Sequence, residues 1–192
     1  MGQNVNGLSY YNDYVEWEMA LLYMDEFQVD VECLGEPNLD LKKPEVMEQI
    51  YKRLKKIDMH SKLIKSVSPS IFSDTPFQMG GTITYTRGNW AGHIHEQGSE
   101  RLGRWSYQTF EGREGRKVTI INVYRVGKAT GDSGSCTIRS QQAKDLLVDK
   151  NEHLNPWEEI LIELQRNINK LHGEGHMVIL YGDMNDNIQQ SS

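Results

Sequence analysis

Cysteine is almost missing from this chain, with only Cys33 and Cys136 in 192 residues. A disulfide-stapled secreted scaffold needs more than that, so the fold must rest on an apolar core. The two thiols read as reduced packing residues, which points to an intracellular protein. Long apolar runs are missing too: none approaches the ~20 residues that span a bilayer. Met1-Gly2-Gln3-Asn4-Val5-Asn6 has no basic stretch, no apolar signal core and no Ser or Thr at position 6. Signal peptide, membrane anchor and myristoylation are therefore not expected. Positive charge is in short supply, since 21 Lys and Arg against 27 Asp and Glu leave a formal charge of −6. That disfavours a module that holds nucleic acid by neutralising phosphates over a basic face. It weighs less against a nuclease, whose bound metal supplies positive charge locally. Repeats, low-complexity tracts and linkers are absent as well, so residues 1–192 are expected to form one monomeric domain.

Within this frame the pattern alternates helix and strand. Val15, Met19, Leu22 and Phe27 stand at near-helical spacing over Tyr14 to Phe27. Val29 to Leu34 reads as a strand. Pro44 opens a helix with a stripe of Val46, Ile50, Leu54 and Ile57, whose Lys52, Arg53, Lys55 and Lys56 suit a solvated face. Lys62 to Ile71 and Gly80 to Thr86 are expected as strands. Arg104 to Phe110 and Lys117 to Val126 form a hairpin about two glycines, Gly112 and Gly115. Gly127 to Ser135 is a Gly/Ser-rich loop and Gln141 to Val148 a short helix. Asn155-Pro156-Trp157-Glu158 is the clearest helix start, continued by Ile160, Leu161, Leu164, Ile168 and Leu171. Met177 to Tyr181 then reads as a buried strand. The mixture predicts α/β layers around a mixed sheet.

Chemistry gathers at strand ends. Gly182-Asp183-Met184-Asn185 closes the Met177–Tyr181 run, and residues two apart in an extended segment project to one side. A carboxylate there can orient or deprotonate a water, and a carboxamide can hold a phosphate oxygen. By itself the tetrapeptide also suits an ordinary turn. Upstream, Asn4 and Asn6 share the same two-residue spacing, Glu36 ends the Val29–Leu34 run, and Tyr124 ends another β-rich run. Asn, Glu, Tyr and Asp-x-Asn at strand ends, in that order, resembles the endonuclease/exonuclease/phosphatase superfamily. Its DNase I-like fold is shared by abasic-site endonucleases and LINE-type retrotransposon endonucleases. The resemblance runs from Asn4 to Asn187.

It implies a four-layer sandwich of two packed mixed β-sheets flanked by helices, incomplete at the C-terminus. It also implies a Mg²⁺-dependent phosphodiester hydrolase, with Mn²⁺ as a substitute, acting on nucleic acid and on DNA first. Glu36 would be the principal metal ligand, with Asn6 close to the metal. Asn4 would orient the catalytic Asp183, while Tyr124 and Asn185 would bind the scissile phosphate. Gly35 departs from the Gln common in that family, and Arg104 matches an Arg near the family's active-site rim. A phosphatase or a phospholipid phosphodiesterase is the alternative substrate class. The family also carries a His with an Asp partner near its C-terminus. None of His60, His93, His95, His153, His172 or His176 stands in such a motif. Only three residues precede Asn4, so the chain reads as clipped at both ends. It is therefore expected to be weakly active or a catalytically inactive fragment.

Three look-alikes carry less. Gly131-Asp132-Ser133-Gly134 resembles a serine-protease nucleophile segment without the disulfides and partners such an enzyme needs. His93-Ile94-His95 is at most half a zinc site. Asp183 to Asn187 starts like an EF-hand loop but lacks the Gly at position 6 and the Glu at position 12.

Overall fold

A computed structural model describes residues 1–10, 14–70, 74–127 and 138–186. Cys136, the Gly131–Gly134 segment, Ile71 and Asn187 lie outside the described residues. Eight strands form two four-stranded sheets. The first holds β1 (Gly2–Asn4), β2 (Val31–Gly35), β3 (Lys62–Ser66) and β4 (Thr82–Thr86), in the order β1-β2-β4-β3. The second holds β5 (Ile94–Ser99), β6 (Trp105–Glu111), β7 (Lys117–Tyr124) and β8 (Met177–Asp183), in the order β5-β6-β7-β8. Each sheet contains one parallel pair, β1 with β2 and β7 with β8; every other pairing is antiparallel.

Helices cover the outer faces. Helices α1 (Val15–Glu26) and α2 (Pro44–Ile57) bury Trp17, Leu21, Met24, Val46, Ile50 and Leu54 against Leu34, Ile83 and Tyr85 of the first sheet. Two further helices are α3 (Gly88–Gly92) and α4 (Ile138–Lys150). Helix α5 (Pro156–Gly173) packs Ile160, Leu164 and Leu171 onto Ile121 and Val123 of the second sheet. Asn155 caps α5 by accepting the Trp157 N–H at 3.2 Å, and Pro156 fills the first turn where no N–H is needed.

The facing sides of the two sheets are joined by polar groups. Thr82 and Ser106 hydroxyls meet at 3.0 Å, and the Thr86 hydroxyl donates to Gln108 Oε1 at 2.6 Å. Asn122 of β7 sends its Nδ2 to the Leu34 carbonyl (3.1 Å), the Ile83 carbonyl (2.9 Å) and Thr84 Oγ1 (3.3 Å). One buried amide thus ties β7 to both β2 and β4, and buried polar groups of this kind fix relative placement when they are paired.

Three expectations are corrected. The Val15, Met19, Leu22 and Phe27 stripe of α1 faces solvent, while Trp17, Ala20, Leu21 and Met24 are buried. Both sides of that helix are apolar, and the core takes the side carrying Trp17, which has more surface to remove from water. Met177 to Tyr181 forms a strand but not a buried one. As β8 it lies at the edge of its sheet, with Met177, Ile179 and Leu180 exposed. The strand expected over Lys62 to Ile71 stops at Ser66, because Ser68 and Ser70 turn their hydroxyls to the Asp145 carboxylate of α4. The elements α3 and β5 have no counterpart in the sequence reading.

Candidate active site

The two parallel pairs end at the same end of the sandwich. In the first sheet Asn4 is level with Gly35, so Asn4 and Glu36 leave together; in the second, Tyr124 is level with Asp183. Gly2 allows the approach between the pairs, and Gly182 allows the close pairing of β8 with β7 within the second sheet. A Cβ on Gly2 would fall 2.2 Å from the Tyr181 ring, and one on Gly182 would fall 2.2 Å from the Val123 carbonyl oxygen. Tyr181 therefore lies directly on β1, two residues before the pair Asn4 and Asp183.

Asn4 is the hub. Its Oδ1 accepts the Asn6 main-chain N–H at 2.9 Å, which turns Nδ2 toward the acids. Nδ2 donates to Asp183 Oδ2 at 2.7 Å and to Glu36 Oε2 at 3.2 Å. Tyr124 hydrogen-bonds to Glu36. Burial first, then the Glu36 charge and that hydrogen bond, then Asp183, raise the Tyr124 phenol above its ordinary 10.0. It stays a donor throughout the working pH range. Asp183 Oδ1 accepts the Asn185 N–H at 2.9 Å, and Asn185 Nδ2 donates to the Arg125 carbonyl at 2.6 Å. Asn4 and Asn185 are exposed and Glu36 and Asp183 half-buried, so the cluster opens to solvent.

The backbone here is unusual as well. Asn6 (φ 45°), Glu36 (φ 57°), Asn38 (φ 53°) and Asn185 (φ 45°) all occupy the left-handed region. For a Glu that conformation is costly, and it aims the carboxylate back across the strand ends. Asn6 reaches the cluster through its main-chain N–H. Its side chain lines a neighbouring cavity of about 280 Å³ with Asn38 and Phe77.

Sequence reasoning missed Arg125. Its guanidinium is 2% exposed, stacks 3.5 Å over Trp157 and donates through Nε to the Trp157 carbonyl at 2.8 Å. Its main chain holds the Asp183–Asn185 turn from both sides, donating to the Asp183 carbonyl at 2.9 Å and accepting from Asn185. The signal was its position between Tyr124 and a helix cap carrying Trp. Arg104 brings its carbonyl to the Tyr124 N–H at 2.7 Å, but its buried guanidinium pairs with Glu100 and Glu163. His93 and His95 both turn to Glu111, the first to its carbonyl and the second to its carboxylate. Among the described residues no three His, Cys, Asp or Glu side chains gather as a metal-binding group. What the strand ends offer instead is two carboxylates with amide and phenol oxygens. Such hard donors suit Mg²⁺, which is often held by one or two carboxylates and keeps several waters.

Solved structures share this architecture. An endonuclease/exonuclease/phosphatase family protein from Bacteroides thetaiotaomicron matches 99% of the chain with a TM-score of 0.55 at 12% identity. The fold is DNase I-like. A mannosyl-6-phosphatase from the same bacterium shares this DNase I-like frame over 99% of the chain (TM-score 0.52, 14% identity). So does a 3′ phosphatase from Neisseria, solved bound to a product DNA hairpin, over 96% (TM-score 0.50, 18% identity). The chain spans 62%, 66% and 56% of the lengths of these three DNase I-like structures. No family model and no curated protein matches the sequence.

Proposed function

We propose that this protein is a Mg²⁺-dependent phosphodiester hydrolase, a DNA endonuclease of the kind that retroelements carry. The observation that carries the reading is the single Asn4 amide joining Asp183 and Glu36 across two sheets, with Tyr124 on the same Glu36. The retroelement assignment rests on the resemblance of the strand-end residues.

Attack on a phosphodiester is opposed by the charge of the phosphate. A Mg²⁺ held by Glu36 would offset that charge and that of the leaving oxygen. Asp183, oriented from opposite sides by Asn4 Nδ2 and the Asn185 N–H, takes the proton of the attacking water. Tyr124 now gives its one phenol hydrogen to Glu36; a cation taking that carboxylate would free the hydrogen for a phosphate oxygen. Asn185 spends one amide hydrogen on the Arg125 carbonyl and keeps the other for the phosphate. Protonation of the leaving oxygen has no His assigned to it. His176 bonds Thr119 at 2.9 Å, and His93 and His95 sit at Glu111; both places are at the far end of the strands from Asp183.

Nicking of supercoiled plasmid tests this reading. The expected result is slow, EDTA-sensitive nicking, and Asp183→Asn should lower the rate by ~10²–10⁴-fold with an unchanged circular dichroism spectrum. Equal rates for Asp183→Asn and wild type would contradict the assignment. Two of the similar structures are phosphatases, so phosphomonoester hydrolysis is the second reading. Release of phosphate from a monoester without any nicking would favour it.

A further inference from the structure

A cavity of about 370 Å³ lies between the second half of α5, the start of β6 and the 100–104 loop. Glu163, Arg166, Asn167 and Lys170 recur at helical spacing, so one side of α5 forms one wall, and Arg104 and Trp105 contribute to the other. Trp105 packs with α5 against Ile121 and Val123, which puts the cavity on the helix-covered face of the second sheet. Arg104 is 1% exposed, and only its Nη2 is paired, with Glu100 Oε1 at 3.1 Å and with Glu163. Nε and Nη1 of Arg104, Nε1 of Trp105 and Nδ2 of Asn167 are buried and meet no acceptor among the described residues. All four are donors.

The acids of the cavity are already paired. Glu100 accepts the Leu102 and Arg104 main-chain N–H groups at 2.7 and 3.1 Å as well as the Arg104 guanidinium. Glu163 accepts from both Arg104 and Lys150, and Asp149 pairs with Arg101 at 3.1 Å. The cations are not matched in the same way. Arg166 has no hydrogen bond or ion pair among the described residues, and Lys170 reaches only Glu174, at 3.8 Å. Buried donors without acceptors are costly, and several of them beside surplus positive charge select a ligand that only accepts. A phosphate offers three acceptor oxygens to donors standing on both walls, where a carboxylate offers two.

We propose that this cavity is a phosphate-binding site, with Arg104, Trp105 and Asn167 as its donors and Arg166 and Lys170 as its charged rim. The volume admits a phosphate together with a small group that carries it, so a free phosphate ion and a small phosphomonoester present the same chemistry. The site includes none of Asn4, Glu36, Tyr124 and Asp183 and needs neither metal nor catalysis, so its test is separate from that of the proposed hydrolase.

The test is a titration of residues 1–192 in EDTA with inorganic phosphate and with glycerol 3-phosphate, at constant ionic strength, followed by calorimetry and by the Trp105 indole N–H resonance. Saturable binding at one site that moves this resonance is expected, and Asp183→Asn should bind as wild type does. Tighter binding of inorganic phosphate assigns the site to the free ion, and tighter binding of glycerol 3-phosphate assigns it to an ester; either supports the proposal. Asn167→Asp, which trades a donor for a negative charge, and Arg166→Gln should each weaken binding at least ~10-fold, the scale of one charge-assisted hydrogen bond. Absence of saturable binding, a Trp105 resonance that does not move, wild-type affinity in either variant, or loss of binding in Asp183→Asn would each overturn the proposal. If the Asn167 and Arg166 variants fail to fold, the Trp105 resonance of wild type decides alone.

Discussion

Glu32 is fully buried in β2, with one carboxylate oxygen accepting Gln3 Nε2 at 3.0 Å and the other without a partner among the described residues. Burial, only partly offset by the Gln3 hydrogen bond and the N-terminal charge, pushes its carboxyl from 4.5 up to about 7. A raised acid pKa means that the folded state holds the proton more tightly, so stability falls as pH rises from about 4.5 to about 7 and is flat above. At ~1.4 kcal/mol per unit, that gap is worth up to about 3 kcal/mol. Glu32→Gln should therefore remove the pH slope and stabilise the protein above pH 7, as measured by urea unfolding at acidic and alkaline pH. A slope unchanged in the variant would show that Glu32 is not the titrating group. The same scale shows what a sequence reveals about a site. Glu36, Tyr124 and Asp183 were legible because each ends a β-rich run, where side chains leave the sheet, and Asn4 because it stands two residues before Asn6 and first in the family order. Arg125 and Glu32 were not. Their meaning depends on Trp157 stacking on one, and on helices covering the outer face of the sheet that carries the other.

At the scale of elements, Asn122 is the decisive residue. It lies two positions before Tyr124, on the inner face of β7, and its amide reaches the Leu34 and Ile83 carbonyls of the opposite sheet. Leu34 is itself two positions before Glu36, so this one side chain sets the gap between the halves of the site. Asn122→Ala should cost ~1–3 kcal/mol in urea unfolding, the usual penalty for stripping a partner from buried polar groups. A loss below a few tenths of a kcal/mol would mean that the sheets are held together without it. Helices with one apolar face, such as α2 with Val46, Ile50 and Leu54, were readable in phase as well as in extent. Helix α1 was readable in extent only, because its two apolar sides give periodicity no means of choosing between them. Strand β8 shows the matching ambiguity for strands. The apolar run Met177 to Tyr181 identifies a strand, but its place at the centre or edge of a sheet depends on which other strands pair with it.

For the whole molecule, the four layers set the site at the common end of two parallel strand pairs, one in each sheet. Similar solved structures at 12% to 18% identity share this architecture, so layer order and strand direction tolerate near-complete replacement of the residues that build them. The formal net charge of −6 does not attract a polyanion, so the proposed hydrolase would have to bind phosphate through the strand-end cluster and a cation held there. Mn²⁺ binding, followed by the loss of the free-ion paramagnetic resonance signal, tests that claim most directly because it needs no turnover. A single site in wild type, weakened at least ~10-fold by Glu36→Gln with folding intact, is the expected result. Equal Mn²⁺ affinity in wild type and Glu36→Gln would contradict the account, because the carboxylate at the centre of the cluster would then hold no metal.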